Sequence, residues 1–143
     1  MSDKISLIIP AKNEVESLGA VLEEVKNNKF VDEIIVVVDS EIDNSIPIVK
    51  KFNCKLIIQN QKGYGSAIIE GFKNAKNNFG CIYNADHSFD PKYLEELIRL
   101  SKSNDFIFGS RYKGSGGSDD DDIITFIGNK IFTFITRFIL GIK

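Results

Sequence analysis

The chain alternates two hydrophobic periods, and that alternation restricts its fold more than any other feature. Residues 5–9 (ISLII), residues 34–38 (IIVVV) and Lys55–Ile58 are short apolar runs suited to strands buried on both faces. Residues 81–83 (CIY) and 106–108 (FIF) are two more. The segments between them have helical spacing. Val15, Leu18, Val21, Leu22 and Val25 fall on one face of a helix over residues 15–27. Residues 46–52 predict a short helix that tolerates Pro47 in its first turn. Ala67, Ile68, Gly71, Phe72 and Ala75 share a face over residues 66–77. Asp90 and Pro91 supply an N-cap and a first helical residue for a helix over residues 91–101. The expected fold is α/β, a mostly parallel sheet of five strands flanked by helices.

At 143 residues the chain fits one domain with a substantial core. Its apolar fraction of 43% and charged fraction of 27% are those of a soluble globular protein. A net charge of −2 gives no basic field for nucleic acid. Cys54 and Cys81 lie in or beside strand-like runs and read as reduced, buried thiols of a cytosolic protein. Their spacing is not that of a zinc site, and the N-terminus is no signal peptide. No run of 18 uninterrupted apolar residues predicts a spanning helix. Residues 113–122, rich in glycine, serine and aspartate, read as a mobile loop. Residues 123–142 predict an amphipathic helix with a wide apolar face, a narrow threonine stripe, and Lys130 and Arg137 nearby. Two readings fit this helix, a membrane-interface helix and a core helix packing on the sheet.

In a parallel α/β sheet, ligands bind beyond the C-terminal ends of the strands. The polar and glycine-rich segments concentrate there: PAKNE at 10–14, DSEIDNS at 39–45, QKGYG at 61–65, NADHS at 84–88 and GSRY at 109–112. Asp39 at a strand end can accept hydrogen bonds from a base or ribose, or serve only as a turn aspartate. Lys62 with Gly63 and Gly65 ahead of a helix suits an anion, or is a plain glycine-rich turn. Asp86 and Ser88, two apart on an extended loop, can face one hard cation such as Mg2+ or Mn2+, with the Asn84 amide oxygen beside them. His87 reads as exposed and non-ligating, because no second histidine or cysteine supports it. Asp90 is a helix cap. Arg111 is placed to clamp a phosphate, or is a solvated surface arginine.

Taken in order, these segments resemble family 2 glycosyltransferases of the GT-A fold, a Rossmann-like architecture, and especially the dolichyl- or polyprenyl-phosphate sugar transferases. IIPAKNE at 8–14 is similar to the family's opening strand and nucleotide-binding turn. IVVVDSEIDNS at 35–45 resembles its VDDGSxDxT pattern, with Asp39 and Asp43 at two of the aspartates. NQKGYGSAIIEG at 60–71 resembles its glycine-rich NxGxGxAxxxG segment, Asn84-Ala85-Asp86 stands at its Asp-X-Asp motif, and GSRY resembles its acceptor-side loop.

The resemblance implies a nucleotide sugar (a UDP- or GDP-sugar) held by Pro10, Ala11, Lys12, Glu14, Asp39, Lys62, Gly65, Asn84, Ala85 and Asp86. It implies a divalent cation at Asp86, Ser88 and Asn84, and Asp86 and Arg111 as catalytic residues. It also implies inverting transfer to a polyprenyl phosphate at the cytoplasmic face of a membrane. Residues 1–112 would form the donor-binding core and residues 113–122 an acceptor-side loop. Asn84 and Val38 stand where the family has aspartates, residues 119–122 are acidic where it has basic residues, and the resemblance stops at Lys143. The chain is therefore expected to be a truncated enzyme, the alternative being a nucleotide-binding module without transfer activity.

Overall fold

The computed structural model describes residues 4–110 and 123–141. It divides into two units, Met1–Ile107 and Phe108–Lys143. In the first, strands β1 (Ile5–Ala11), β2 (Val31–Val38), β3 (Lys55–Ile58) and β4 (Gly80–Ile82) alternate with helices α1 (Leu18–Val25), α2 (Ile46–Val49), α3 (Tyr64–Lys73) and α4 (Leu94–Ser101). The strands form one parallel sheet in the order β3-β2-β1-β4. The connection that carries the chain from β3 past β2 and β1 to β4 makes the C-terminal end of β1 a topological switch point.

Both faces of the sheet are buried, and the two-residue period of β1 shows how. Ile5, Leu7, Ile9 and Ala11 join α1, Val49 of α2 and α4 in one core cluster. Ile8 turns to the other face, with Ile35, Val37 and Ala67 of α3. Helix α1 buries Leu18, Val21, Leu22 and Val25, the i, i+3, i+4, i+7 set read from the sequence. Helix α3 lies very close to β1 at Gly71, where an added Cβ would sit 2.3 Å from Ile8 Cγ2.

Several elements depart from the expected boundaries. Pro10 lies inside β1, opposite Val37, rather than ending it. Pairing with β4 ends at Ile8, whose carbonyl accepts from Tyr83 N–H. Pro10 shares Ile8's flank, where β4 has already left the ladder, so its missing N–H breaks no pair there. Helix α1 starts only at Leu18, and Val15 is exposed. Helix α3 begins at Tyr64, earlier than expected, and stops at Lys73. Residues 106–108 are irregular, not a fifth strand, and Phe106 and Phe108 are exposed. Three apolar residues make a strand only beside a partner edge, which local sequence does not reveal.

In the second unit, α5 (Ile123–Leu140) is helical over the expected segment, and Ile124, Phe132, Phe134 and Phe138 on it are exposed. No helix among the described residues is long and apolar enough to cross a membrane. Arg111 and the expected loop at 113–122 lie outside the described residues.

Candidate active site

A cleft of about 440 Å³ opens at the C-terminal ends of the strands and the first turn of α3. Its walls include Pro10, Ala11, Lys12, Glu14, Asp39, Lys62, Asn84, Ala85 and Asp86, drawn from four separate segments. Each was expected from the sequence to hold a nucleotide sugar. The volume falls in the range typical of small-molecule sites.

The turn after β1 is held in a specific shape. Asn13 adopts φ 56°, uncommon for a residue with a side chain. Its N–H donates to both carboxylate oxygens of buried Asp43, at 3.2 and 3.1 Å. Glu14 N–H donates to buried Ser45 Oγ at 2.9 Å, and Ser45 N–H donates back to Asp43 Oδ1 at 2.7 Å. Asp43 and Ser45 thus act as a buried acceptor pair that shapes the Lys12–Glu14 wall from the neighbouring loop.

Across this wall, Lys12 Nζ pairs with Asp39 Oδ2 at 3.2 Å. The hydrogen bond from Lys12 holds the Asp39 carboxyl below the usual carboxylate range, so Asp39 is an anion at neutral pH. At the β3 end, Gln59 lines the cleft, and its Oε1 is buried with no hydrogen-bond partner among the described residues. Gly63 caps α3 at φ 118°, a conformation glycine adopts readily, and lines the cleft with Lys62 and Tyr64. The first N–H groups of α3 have no acceptors within the helix, and they favour an anion near them. Gly65, expected in the site, is not part of the cleft wall; Gly63 is.

On the loop after β4, Tyr64 Oη donates to Asn84 Oδ1 at 3.2 Å, and Asn84 Nδ2 donates to Ser88 Oγ at 3.0 Å. Ser88 N–H donates to Asp86 Oδ1 at 3.0 Å. Ser88 supports this loop without lining the cleft. His87, at φ 62°, turns instead to Glu24 of α1, with Nδ1 3.4 Å from its carboxylate. Asp90 accepts from Lys92 N–H at 2.9 Å and starts the short 3-10 turn Pro91–Tyr93, as a cap should. Below the loop, buried Tyr83 donates to Phe89 carbonyl at 2.9 Å and stacks obliquely on its ring. Burial pushes the half-buried thiols of Cys54 and Cys81 up to about 11, so both stay protonated.

The donors near Asp86 are all oxygens: one carboxylate, one amide and one hydroxyl. Among the described residues no three His, Cys, Asp or Glu side chains gather to hold a metal. Such a set fits a hard cation such as Mg2+ that takes one protein carboxylate and the rest of its shell from substrate phosphates.

Gln59, Tyr64 and the buried Asp43–Ser45 support were not expected in these roles. A glutamine at a strand end and a tyrosine inside a glycine-rich turn carry no distinctive spacing, and Asp43 reads locally as a turn former.

A parallel sheet flanked by helices, with a polar cleft at its switch point and a carboxylate loop beside it, is the arrangement of the GT-A fold. The chain belongs to glycosyl transferase family 2, whose sequence profile matches residues 6–143. It is 31% identical over 121 residues to a dolichol-phosphate mannosyltransferase of Pyrococcus furiosus, covering 79% of this chain and 34% of that protein. It is 30% identical over 165 aligned positions to a UDP-N-acetylglucosamine–dolichyl-phosphate N-acetylglucosaminyltransferase of Methanococcus voltae, covering 99% of this chain and 65% of that protein. Its fold matches glucosyl-3-phosphoglycerate synthase of Mycobacterium tuberculosis, solved with Mn2+, UDP and phosphoglyceric acid. There the TM-score is 0.60 at 17% identity, over 71% of this chain and 40% of that one. The chain thus spans between about a third and two thirds of the curated relatives it matches.

Proposed function

We propose that this chain is the donor-binding part of an inverting glycosyltransferase that moves a sugar from a UDP- or GDP-sugar to a polyprenyl phosphate. The observation that carries the reading is the gathering of Lys12, Asp39, Lys62 and Asp86 from four strand ends around one cleft. Pro10, Lys12, Glu14 and Asp39 would hold base and ribose, and the Asp39 carboxylate, paired with Lys12, would accept from ribose hydroxyls. Lys62 and the start of α3 would face the diphosphate. Asp86, with Asn84 and Ser88 beside it, would hold a divalent cation that offsets charge on the leaving nucleoside diphosphate. Arg111 is proposed near the same phosphates.

The polyprenyl-phosphate acceptor draws support from the names of the two archaeal relatives. An anionic phosphate oxygen of the acceptor attacks the anomeric carbon while that carbon's bond to the nucleoside diphosphate oxygen breaks. One in-line displacement inverts the carbon, and no strong general base is needed. A lipid acceptor would put the reaction at a membrane, and a nucleotide-sugar donor made in the cytoplasm would put it at the cytoplasmic face.

Asn84 at the Asp-X-Asp position favours a second reading, a nucleotide-binding module without transfer. Binding without turnover in a chain extended past residue 143 would select it. The test of the first reading is calorimetric titration of UDP, GDP and their sugars with Mn2+ present. Binding tighter than about 1 mM, or about −4 kcal/mol, is expected for one of them. Asp86→Ala removes the Mn2+ dependence of that binding. Failure of every nucleotide to reach that affinity overturns the reading.

A further inference from the structure

Asn84 has an amide where a carboxylate would offer two equivalent acceptors. An amide has one accepting end and one donating end. Facing a cation with its oxygen it attracts; turned by half it presents N–H groups and repels. An asparagine at a cation site therefore needs its orientation fixed from outside, and a carboxylate does not.

The structure supplies groups at both ends. Asn84 Nδ2 donates to Ser88 Oγ at 3.0 Å, and Asn84 Oδ1 accepts from Tyr64 Oη at 3.2 Å. Ser88 also donates its N–H to Asp86 Oδ1 at 3.0 Å, so one residue is bonded to both Asn84 and Asp86. Tyr64 is the first residue of α3 and stands on the cleft wall with Asn84 and Asp86. The chain of bonds ties the start of α3 to the loop after β4 across the cleft. Tyr64 is 59% exposed, so the fold does not depend on burying its ring.

We propose that Tyr64 is a positioning residue, which through Asn84 and Ser88 keeps the amide oxygen at position 84 aligned with Asp86 toward a cation-bound diphosphate. The proposal rests on the donor-site reading above. Tyr64 thereby offsets the loss of a carboxylate at position 84 without itself touching the reacting atoms.

The experiment is titration of UDP into the full chain with and without Mn2+, read as the ratio of the two dissociation constants. Removing one such hydrogen bond in Tyr64→Phe should lower the Mn2+ enhancement by about fivefold. In an Asn84→Asp background, either carboxylate oxygen serves whatever the tyrosine does, and the Tyr64→Phe effect should shrink below about twofold. The side-chain amide resonances of Asn84 should shift in Tyr64→Phe even without nucleotide. An equal Tyr64→Phe effect in both backgrounds, or an unchanged Mn2+ ratio in the native background, overturns the role of Tyr64 and leaves the donor site standing. Absence of UDP and GDP binding to the unaltered chain overturns the donor site and this proposal together.

Discussion

Asp43→Ala tests whether the cleft wall is built from the neighbouring loop. The carboxylate is buried and accepts from Asn13 N–H and Ser45 N–H. Hydrogen bonds to a charged group contribute about 1.5–3 kcal/mol each, and a buried donor left unpaired costs about 1–3 kcal/mol. Asn13 is exposed, so water can satisfy its N–H once the carboxylate is gone. Ser45 is fully buried, and water cannot reach its N–H. The expected loss is therefore about 2–4 kcal/mol, a large share of the usual 5–15 kcal/mol of a domain. Urea unfolding followed by far-UV circular dichroism reads it. With a slope of about 2 kcal/mol/M, the middle of the usual range, the midpoint should fall by about 1–2 M. Asp43→Asn keeps one acceptor and should fall between. UDP affinity should drop with Asp43→Ala, because Lys12 and Glu14 flank the turn at Asn13 that Asp43 holds. A midpoint within about 0.3 M of the unaltered chain would refute the reasoning, since the slope then leaves less than about 1 kcal/mol for both bonds.

Gly71→Ala places a methyl against buried Ile8 and should destabilise by about 1–3 kcal/mol from overpacking, offset by about 1 kcal/mol of better helix propensity. Combined with Ile8→Ala, its effect should be less than additive in urea unfolding, because the second change opens the space the first one fills. The Asp39 carboxyl lies below its ordinary pKa because of Lys12, so its pairing favours the folded state above about pH 3.9, the unfolded value. That contribution is lost as pH falls through the lower folded value. Asp39→Asn should flatten this part of the acid limb when stability is measured from pH 5 to 2, and an unchanged limb would remove the pairing from the account.

The parallel α/β layout was legible because residues 34–38 are an uninterrupted apolar run, residues 5–9 are broken only by Ser6, and α1 repeats its apolar residues at 3.6 spacing. The cleft was legible for a related reason. In this topology the C-terminal ends of the strands lie on one rim, so reading strand ends amounted to reading the cleft. What escaped depended on partners distant in sequence. The buried role of Asp43 is set by Asn13, thirty residues earlier. Pro10 fits within β1 because β4 leaves the ladder at Ile8, and nothing local to Pro10 records that. Residues 106–108 carry strand-like residues without a ladder to join. Tyr64, between two glycines, carries no local signal, since its meaning lies in a bond to Asn84 across the cleft.

The strand order also bears on how the molecule assembles. Leu7 pairs with Ile34 on one flank and with Cys81 on the other. The second pairing closes a loop more than twice as long, and each doubling adds about 0.6 kcal/mol of closure entropy. Loop closure alone therefore favours the β1–β2 pair over the β1–β4 pair by less than about 1.2 kcal/mol, and β4 is expected to dock later. The cleft needs the ends of both β1 and β4, so on this expectation it is completed only when β4 docks. On the donor-site reading proposed above, a nucleotide gripping both ends would bind only the finished sheet, and by mass action it would draw the final docking step toward completion.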